Sequence, residues 1–359
     1  MNDALTGAQQ PLNVRIGDRL VGPGQPVFVI AEAGVNHNGD LKLARALIDV
    51  AVDAGADAVK FQTFHADLLA VSDAPKAAYQ LETTDTQESQ LEMLRGLELS
   101  ADAHRELRSY CDERGIVFLS TPFDEQAVDM LDELGVPAFK ISSGDLTNSP
   151  LLEYAAGKKK PMILSTGMSE LAEVIEAVSV LHAAGCENPI LLHCVTNYPA
   201  EPPEVNLRAM QTMRSAFNVP VGFSDHTEGI DVPLAAVALG ACVIEKHFTL
   251  DRSLPGPDHR ASLEPDELRQ LVQSIRRVEV ALGNGRKVPQ PSEIETAKVA
   301  RRSLVAATNI PAGATIEREM IVLRRPGTGL PPAEITTLLG RRARREIAAG
   351  SLLAADMFE

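Results

Sequence analysis

Short runs of mostly apolar residues alternate along the chain with stretches in which apolar residues recur at helical spacing. Each run is apolar at its start and polar at its end, a pattern typical of parallel strands that are buried on both faces. The stretch 40–55 is one of the helical type, with Leu43, Leu47 and Ile48 on one face and a terminal glycine. The predicted strands are VFVIAEAG (27–34), AVKFQTF (58–64), IVFLSTPF (116–123), AFKISSGD (138–145), MILSTG (162–167), ILLHCVTNYP (190–199), PVGFSDHT (220–227) and CVIEKHFTL (242–250).

Eight strands that alternate with helices predict a (β/α)8 barrel, also called a TIM barrel. A doubly wound sheet is the alternative, but it would normally show a glycine-rich phosphate loop after its first strand, and the sequence has none there. Residues 1–26 are expected to include a hairpin that caps the bottom of the barrel. The stretch 65–110 is longer than a plain strand-to-helix connection needs, so it is either functional or a surface insertion.

A change in charge marks a second domain. The stretch GNGRKVPQPSE (283–293) is rich in Gly, Pro and polar residues, as linkers are. After it, residues 297–359 carry ten Lys or Arg against six Asp or Glu, a net of +4, although the whole chain carries −15. We therefore predict a barrel domain at 1–282, a linker at 283–296 and a small domain at 297–359.

Composition and charge exclude several classes of protein. A chain with 34 Lys or Arg and 49 Asp or Glu repels phosphate backbones, so we expect no nucleic-acid partner. No apolar run reaches the roughly 18 residues of a membrane span, and the first residues lack the basic and apolar regions of a signal peptide. Four cysteines without a CxxC pair fit a reducing compartment, so we expect a cytoplasmic protein.

Candidate chemistry lies at the carboxyl ends of the strands, where barrels of this kind carry their active sites. Lys60 and Lys140 lie inside apolar strands, and a buried lysine is costly unless an anion meets it. They indicate a phosphate or carboxylate ligand; buried structural salt bridges are the alternative. The complete set of strand-end candidates is Glu32, Lys60, Gln62, Thr121, Lys140, Ser143, Asp145, Ser165, Tyr198, Ser224, His226 and His247.

Two histidines end successive strands. His226 and His247 could converge on one metal ion, and two imidazoles with oxygen ligands suit Mn, Fe, Co or Zn better than Ca. Hydrogen-bonded structural histidines are the alternative. A Schiff-base aldolase, which would use a strand-end lysine as nucleophile, also stays open at this point. Asp258 lies in a proline-rich loop after the eighth strand, where either a turn or a substrate contact fits.

Several ordered motifs resemble the sialic acid synthase family. They are IAEAGVNHNGD (30–40), AVKFQTF (58–64), STPFDE (120–125), KISSGDLTN (140–148), LSTGMS (164–169), GFSDHT (222–227) and EKHFTLD (245–251). After the linker, ARRSLVA (300–306), IPAGATI (310–316), LRRPGTGLPP (323–332) and GRRARREIAAGSLL (340–353) resemble the antifreeze-like (SAF, β-clip) domain of that family. The resemblance runs from about residue 14 to the C-terminus.

This resemblance implies a transferase that condenses phosphoenolpyruvate with an N-acylated hexosamine, giving a nonulosonic (sialic-type) acid and phosphate. N-acetylmannosamine and a 2,4-diacetamido-2,4,6-trideoxyhexose are the two candidate sugars. A 6-phosphorylated amino sugar, a related phosphoenolpyruvate-dependent sugar acid synthase and a non-enzymatic binding protein are the alternatives. The resemblance also implies a domain-swapped homodimer and a divalent metal, typically Mn²⁺, with Mg²⁺ or Co²⁺ as alternatives.

The resemblance assigns roles to residues at matching positions. His226 and His247 match the metal ligands, and Glu32 matches the acid beside the metal. The residues matched to phosphoenolpyruvate are Lys60, Thr121, Lys140, Ser143, Ser165 and Ser224. The residues matched to the sugar are Gln62, Asp145, Tyr198, Asp258 and Arg325, the last supplied by the partner subunit. Two positions depart from other members: Thr196 stands where some have Asn, and Asp145 stands where others have Glu.

Overall fold

The computed structural model describes residues 13–359 except Thr86, and of Glu82 only the backbone. The predicted absence of a signal peptide concerns residues outside this range. The chain divides into two compact units that meet between Gly283 and Asn284. The strands are β1 (Val14–Ile16), β2 (Arg19–Val21), β3 (Phe28–Gly34), β4 (Ala58–Thr63), β5 (Val117–Pro122), β6 (Phe139–Ile141), β7 (Met162–Ser165), β8 (Ile190–Cys194), β9 (Val221–Asp225), β10 (Val243–His247), β11 (Ser303–Ala306) and β12 (Ile321–Arg324).

Helices alternate with the strands of the first unit, and two short helices, the last two along the chain, belong to the second unit. They are α1 (Leu41–Ala54), α2 (Ala66–Leu69), α3 (Ala78–Thr83), α4 (Gln90–Leu97), α5 (Ala101–Arg114), α6 (Glu125–Glu133), α7 (Ser149–Gly157), α8 (Leu171–Ala183), α9 (Pro202–Val205), α10 (Ala209–Phe217), α11 (Asp231–Ala238), α12 (Pro265–Leu282), α13 (Ile294–Ala300) and α14 (Ile335–Leu338). Helix α1 begins where the Asp40 side chain accepts a hydrogen bond from the Lys42 backbone N–H, and it ends at Gly55 in the left-handed conformation.

The first unit is a nearly closed (β/α)8 barrel, as predicted. Its strands are parallel and run in the order β5-β4-β3-β10-β9-β8-β7-β6, with β5 and β6 next to each other at the two ends of this order. All eight predicted strands are present. The predicted fourth strand is shorter than expected because Ser143–Asp145 form a turn of 3₁₀ helix after Ile141. Strands β1 and β2 form the predicted hairpin, in which Val14 pairs with Val21.

Two apolar layers hold the barrel together. The larger one lies between strands and helices and includes Val29, Ala31, Val59 and Phe118. The smaller one fills the lower part of the barrel interior with Phe28, Ile30, Ala58, Leu119, Ile163, Ile190, Leu192 and Val243. Since successive side chains of a strand point to opposite faces, the residues that continue the inner face upward are Glu32, Lys60, Thr121, Ser165, Cys194 and Glu245.

The second unit, residues 284–359, has its own apolar core, and the SAF domain lies within it. Strands β11 and β12 pair antiparallel, with Leu304 opposite Leu323. Single β-bridges join the remaining extended segments, for example Ile310 with Ile347. Leu304, Ile310, Ile347 and Phe358 are buried in the core of this unit.

Candidate active site

The carboxyl ends of the barrel strands enclose a cavity of about 360 Å³. It begins where the apolar interior layer ends. The predicted residues that line it are Glu32, Lys60, Gln62, Thr121, Lys140, Ser143, Ser165, Tyr198, Ser224, His226 and His247. The structure thus brings eleven of the fourteen predicted site residues into one cavity. Further lining residues that we did not predict include Tyr79, Gln90, Phe123, Cys194 and Glu245.

Two lysines and two carboxylates alternate on the cavity floor. The Nζ atom of Lys60 lies 2.7 Å from Oε2 of Glu32 and 3.8 Å from Oε2 of Glu245. The Nζ atom of Lys140 lies 3.5 Å from Oε1 of Glu245. All four side chains are at least nine-tenths buried, so their interactions are screened little by solvent. The floor is therefore a compact array of paired charges.

Hydroxyl groups hold the two lysines in place. Lys60 donates a hydrogen bond to Oγ1 of Thr121 at 3.0 Å, and Lys140 donates one to Oγ of Ser165 at 2.8 Å. Ser224 donates to Oε1 of Glu245 at 2.8 Å, which fixes the carboxylate between the lysines. Because hydroxyls can also donate, the same groups can turn towards an anion that enters the cavity.

Burial changes the protonation of the floor. It raises the pKa of Glu32 to about 7, against the opposing effect of Lys60 and with a further rise from Glu245. Burial also lowers the pKa of Lys140, and the nearby charge of Lys60 lowers it further. The pKa of Glu245 is lowered because Lys140 and Lys60 outweigh its burial. Glu32 is thus the carboxyl of this array that exchanges a proton near neutral pH.

His226 and His247 lie side by side above this floor, with ring centroids 5.4 Å apart. Nδ1 of His226 donates to the carbonyl oxygen of Val195 at 2.7 Å, which leaves the Nε2 lone pair for a ligand. Nδ1 of His247 is buried without a hydrogen-bond partner, and Oδ2 of Asp258 lies 3.8 Å away.

The histidine pair fits a divalent metal as a partial ligand set. Among the residues whose side chains the structure describes (13–359 without Glu82 and Thr86), no cluster of three or more His, Cys, Asp or Glu is arranged to hold a metal ion. A metal held by His226 and His247 would therefore complete its coordination with water and substrate oxygens. The unpaired, buried Nδ1 of His247 is the observation that favours such a ligand.

A glycine lies against the residues around the histidines. Gly34 has a φ of +54°, and a Cβ atom there would lie 3.3 Å from Oε1 of Glu32 and 3.4 Å from Cε1 of His247. The same Cβ would lie 3.5 Å from Nε2 of Gln62. The absence of a side chain at Gly34 therefore lets three predicted site residues approach one another.

Three predicted site residues lie outside the cavity lining. Asp145 accepts hydrogen bonds from Ser142 (2.7 Å) and Asn148 (3.2 Å), which occupy its carboxylate within the 3₁₀ turn. Asp258 approaches His247 from the loop after β10. Arg325 is exposed in the second unit, where its Nε donates to the carbonyl oxygen of Ala300 at 2.9 Å. The sugar-binding roles of these residues stay predictions.

The sequence held a signal for one unpredicted residue. Glu245 lies two positions before His247 on β10, so strand alternation places both side chains on the inner face. Tyr79 and Gln90 come from the long connection between β4 and α5, where no periodic pattern indicates which side chains face the barrel.

A larger cavity lies at the opposite end of the barrel. Its volume is about 650 Å³, and it is lined by Val27 and Cys242, which precede β3 and β10, and by Val280. Glu279 and Arg214, which also line it, already hydrogen-bond to backbone groups. Because active sites of such barrels lie at the carboxyl ends of the strands, the smaller cavity is the candidate active site. Within the described part of the chain, no helix combines the length and the apolar character needed to span a bilayer.

Comparisons with known proteins show which family the chain resembles. Residues 47–287 match the model of the NeuB family, and residues 301–359 match that of the SAF domain. The chain is 48% identical to an N,N'-diacetyllegionaminic acid synthase of Legionella pneumophila over 98% of this chain and 99% of the relative. It is 40% identical to the human N-acetylneuraminate-9-phosphate synthase over 90% of each chain.

The chain also resembles a solved structure of a sialic acid synthetase. The N-acetylneuraminic acid synthetase from Leptospira borgpetersenii, crystallised with citrate, superposes with a TM-score of 0.71 at 40% identity. The match covers 80% of this chain and 95% of that protein.

Proposed function

Because the chain belongs to the NeuB family, we propose that it condenses phosphoenolpyruvate with an amino-sugar aldehyde and releases phosphate. The product would be a nonulosonic acid. The observation that carries this proposal is the presence of two buried lysines and two adjacent histidines in one cavity. The lysines suit an anionic substrate and the histidines a polarised carbonyl, and the reaction needs both.

In this proposal, Lys60 and Lys140 bind the charged groups of phosphoenolpyruvate. The hydroxyls of Thr121, Ser165 and Ser224 already touch this charge array and would complete the anion site. Ser143 also lines the cavity, and its Oγ accepts a hydrogen bond from the backbone N–H of Gly167 at 3.0 Å. Holding the anion in one orientation supplies much of the rate enhancement in reactions of this kind.

Glu32 would then move a proton. The methylene carbon of phosphoenolpyruvate bonds to the aldehyde carbon, and the aldehyde oxygen takes up a proton. Water adds at the adjacent carbon, which carries the phosphate, and loses its protons as the bond from that carbon to the phosphate oxygen breaks and leaves a keto group. A carboxyl with a pKa of about 7 can both give and accept a proton near neutral pH, and Glu32 is such a group.

We propose Mn²⁺ as the metal, with Mg²⁺ or Co²⁺ as alternatives, held by His226 and His247. When bound, such an ion polarises the carbonyl of the sugar aldehyde. Tyr198 packs on His226 with ring centroids 4.0 Å apart and would keep that imidazole in position. The tautomer of His226 is set by Val195, as described above.

The proposed sugar is 2,4-diacetamido-2,4,6-trideoxymannose, the acceptor that would give a diacetylated legionaminic acid. Support comes from the 48% identity, over nearly the whole of both chains, with a synthase of that acid. N-acetylmannosamine is the second candidate. A 6-phosphorylated amino sugar is the third, because the human N-acetylneuraminate-9-phosphate synthase is 40% identical.

We further propose that the protein acts in the cytoplasm as a domain-swapped homodimer. Arg325 of each copy would then reach the sugar side of the partner's barrel. The charge difference between the two parts of the chain favours such docking, since residues 297–359 carry +4 and the rest carry −19.

Phosphate release tests the function. The purified chain would be incubated with phosphoenolpyruvate, Mn²⁺ and one sugar at a time: the three candidates, the corresponding altrose derivative and arabinose 5-phosphate. We expect release with the diacetamido sugar, its loss on addition of a chelator and its return with excess Mn²⁺. His226→Ala should abolish turnover and weaken Mn²⁺ binding measured by calorimetry, with an unchanged circular dichroism spectrum. Turnover with arabinose 5-phosphate alone would refute the proposal.

A further inference from the structure

The connection between β4 and α5, residues 64–100, forms a wall of the candidate active site. It contains the short helices α2, α3 and α4, and it contributes Tyr79 and Gln90 to the cavity lining. The remaining cavity residues come from the strands and from other loops. We refer to residues 64–100 as the wall segment.

A buried lysine closes part of the wall segment on itself. The Lys76 side chain is 1% exposed, and its Nζ lies 2.7 Å from Oε1 of Glu88. It also donates to Oγ1 of Thr84 at 3.0 Å and to the carbonyl oxygen of Asp85 at 2.7 Å. Three partners satisfy the three N–H bonds of the ammonium group. Lys76 therefore ties Thr84, Asp85 and Glu88 together.

A small apolar cluster fastens the wall segment to the top of the barrel. Phe64, Met93 and Leu97 pack with Val35, which follows β3. Phe123, which lines the cavity, packs edge-on against Phe64 with ring centroids 6.1 Å apart. Helix α4 begins with a capping box between Ser89 and Glu92, which fixes its first residue, Gln90. The wall segment is thus anchored on both sides of the residues it presents.

Tyr79 continues a row of rings that starts at the histidines. Its ring lies 5.0 Å from that of Tyr198, which in turn packs on His226. Burial raises the pKa of Tyr79, and the charge of Asp258 raises it further, so the phenol stays neutral. Tyr79 therefore lies on the side of the cavity that holds His226 and Tyr198. Lys60 and Lys140 lie on the cavity floor instead.

The Gln90 side chain is available to a ligand. Its backbone N–H donates to the carbonyl oxygen of Ala74 at 3.3 Å. Among the described residues, which exclude Thr86 and the side chain of Glu82, the side-chain amide of Gln90 makes no hydrogen bond, although it is only partly exposed and lines the cavity. A primary amide can both donate to and accept from an N-acyl group of a substrate.

We propose that Tyr79 and Gln90 determine which amino sugar the enzyme accepts, by binding an N-acyl substituent of the acceptor. This inference rests on the proposed function and names the part of the cavity that recognises the sugar. The ring of Tyr79 offers an apolar face to the acyl methyl group, and the amide of Gln90 pairs with the acyl amide. Neither side chain is cationic, so the two residues supply no positive charge to pair with a sugar phosphate.

The test compares sugars across wall variants. Gln90→Leu removes the amide at similar size, and Tyr79→Ala removes the ring. We expect each to lower kcat/KM for 2,4-diacetamido-2,4,6-trideoxymannose by about tenfold or more, mainly through KM, as loss of one buried polar or packing contact does. The KM for phosphoenolpyruvate should stay within about twofold. The advantage of the diacetamido sugar over N-acetylmannosamine should shrink in parallel.

Two controls make the result decisive. Gln87→Leu makes the same exchange at an exposed position of the wall segment and should leave all constants unchanged. Tyr79→Phe keeps the ring and its packing on Tyr198, so it is the control for a collapse of the wall segment. Thermal unfolding of each variant also detects such a collapse. The inference is overturned if the variants keep the sugar constants, or if the KM for phosphoenolpyruvate rises equally. A wild-type chain inactive with every amino sugar would instead refute the proposed function, and this inference with it.

Discussion

The Nζ atom of Lys60 lies 2.7 Å from Oε2 of Glu32, with side chains 4% and 1% exposed. The pair joins a residue of the anion site to the carboxyl that we propose as the proton carrier. Because burial raises the pKa of Glu32 and the charge of Glu245, which lies 3.8 Å from the same lysine, raises it further, Glu32 is not held as a permanently charged partner. An anion bound to Lys60 would weaken this pairing further and favour the protonated form of Glu32.

Glu32→Gln should therefore separate catalysis from binding. The amide keeps the shape of the side chain but cannot carry the proton, so we expect kcat to fall about 100-fold or more. The KM for phosphoenolpyruvate should not rise, because Lys60 loses a competing negative charge. Steady-state phosphate release measures both constants. A variant with nearly normal kcat would show that the proton travels by another route.

Gly34→Ala tests the crowding around the histidines. The new Cβ would press on Glu32 and His247, and the positive φ would add about 1 kcal/mol of backbone strain. Gly115→Ala is the matched control, because Gly115 has a φ of +74° and open space around its Cβ position. In urea unfolding, Gly34→Ala should lose at least as much stability as Gly115→Ala, and only Gly34→Ala should lose activity. Equal activity in the two variants would contradict the proposed packing.

Arg325→Ala tests the contribution of the partner subunit. If Arg325 reaches the sugar, the KM for the sugar should rise about tenfold, as for loss of one charged hydrogen bond, and more than that for phosphoenolpyruvate. Arg324→Ala, at the adjacent exposed position, should change neither constant. Light scattering after size exclusion should give the mass of a dimer for all three proteins. Normal sugar kinetics in Arg325→Ala would remove the residue from the site.

His37 should make the fold sensitive to acid. Burial lowers its pKa from 6.5 to about 4, and its Nδ1 accepts a hydrogen bond from the Gly39 N–H. Because the unfolded chain binds this proton more readily, stability is complete above pH 6.5 and is lost as the pH falls towards 4. The loss from this residue is about 2 kcal/mol at pH 5.

The measurement is urea unfolding at pH 7.5 and pH 5 for the wild-type chain and for His37→Asn. Asparagine can accept the same hydrogen bond but does not titrate. The wild-type chain should lose about 2 kcal/mol more than the variant between the two pH values. Equal losses would show that His37 is protonated in the folded state at pH 5.

Strand positions could be predicted from the sequence because buried parallel strands combine apolar runs with polar ends. The same rule located Lys60, Lys140 and His226 in one cavity. The predicted length of the fourth strand was wrong, because Ser143–Asp145 form a 3₁₀ helix instead of continuing the strand. For the long connection at 65–110 the sequence left a functional segment and a surface insertion both open. It did not indicate Tyr79 or Gln90, because the side chains of the wall segment are oriented by contacts with distant residues such as Tyr198 and Val35.

Side chains along β10 face alternately into the cavity and outward, which makes the barrel sensitive to insertions in this strand. Glu245 and His247 face the cavity, whereas Lys246 faces outward and pairs with Asp225 at 2.6 Å, both fully buried. Inserting one residue before Glu245 would exchange these faces. A single codon added there would at once bring Lys246 into the cavity, move the two site residues into the apolar layer and leave Asp225 unpaired. Viable length changes should therefore accumulate in loops such as the wall segment and be excluded from this strand.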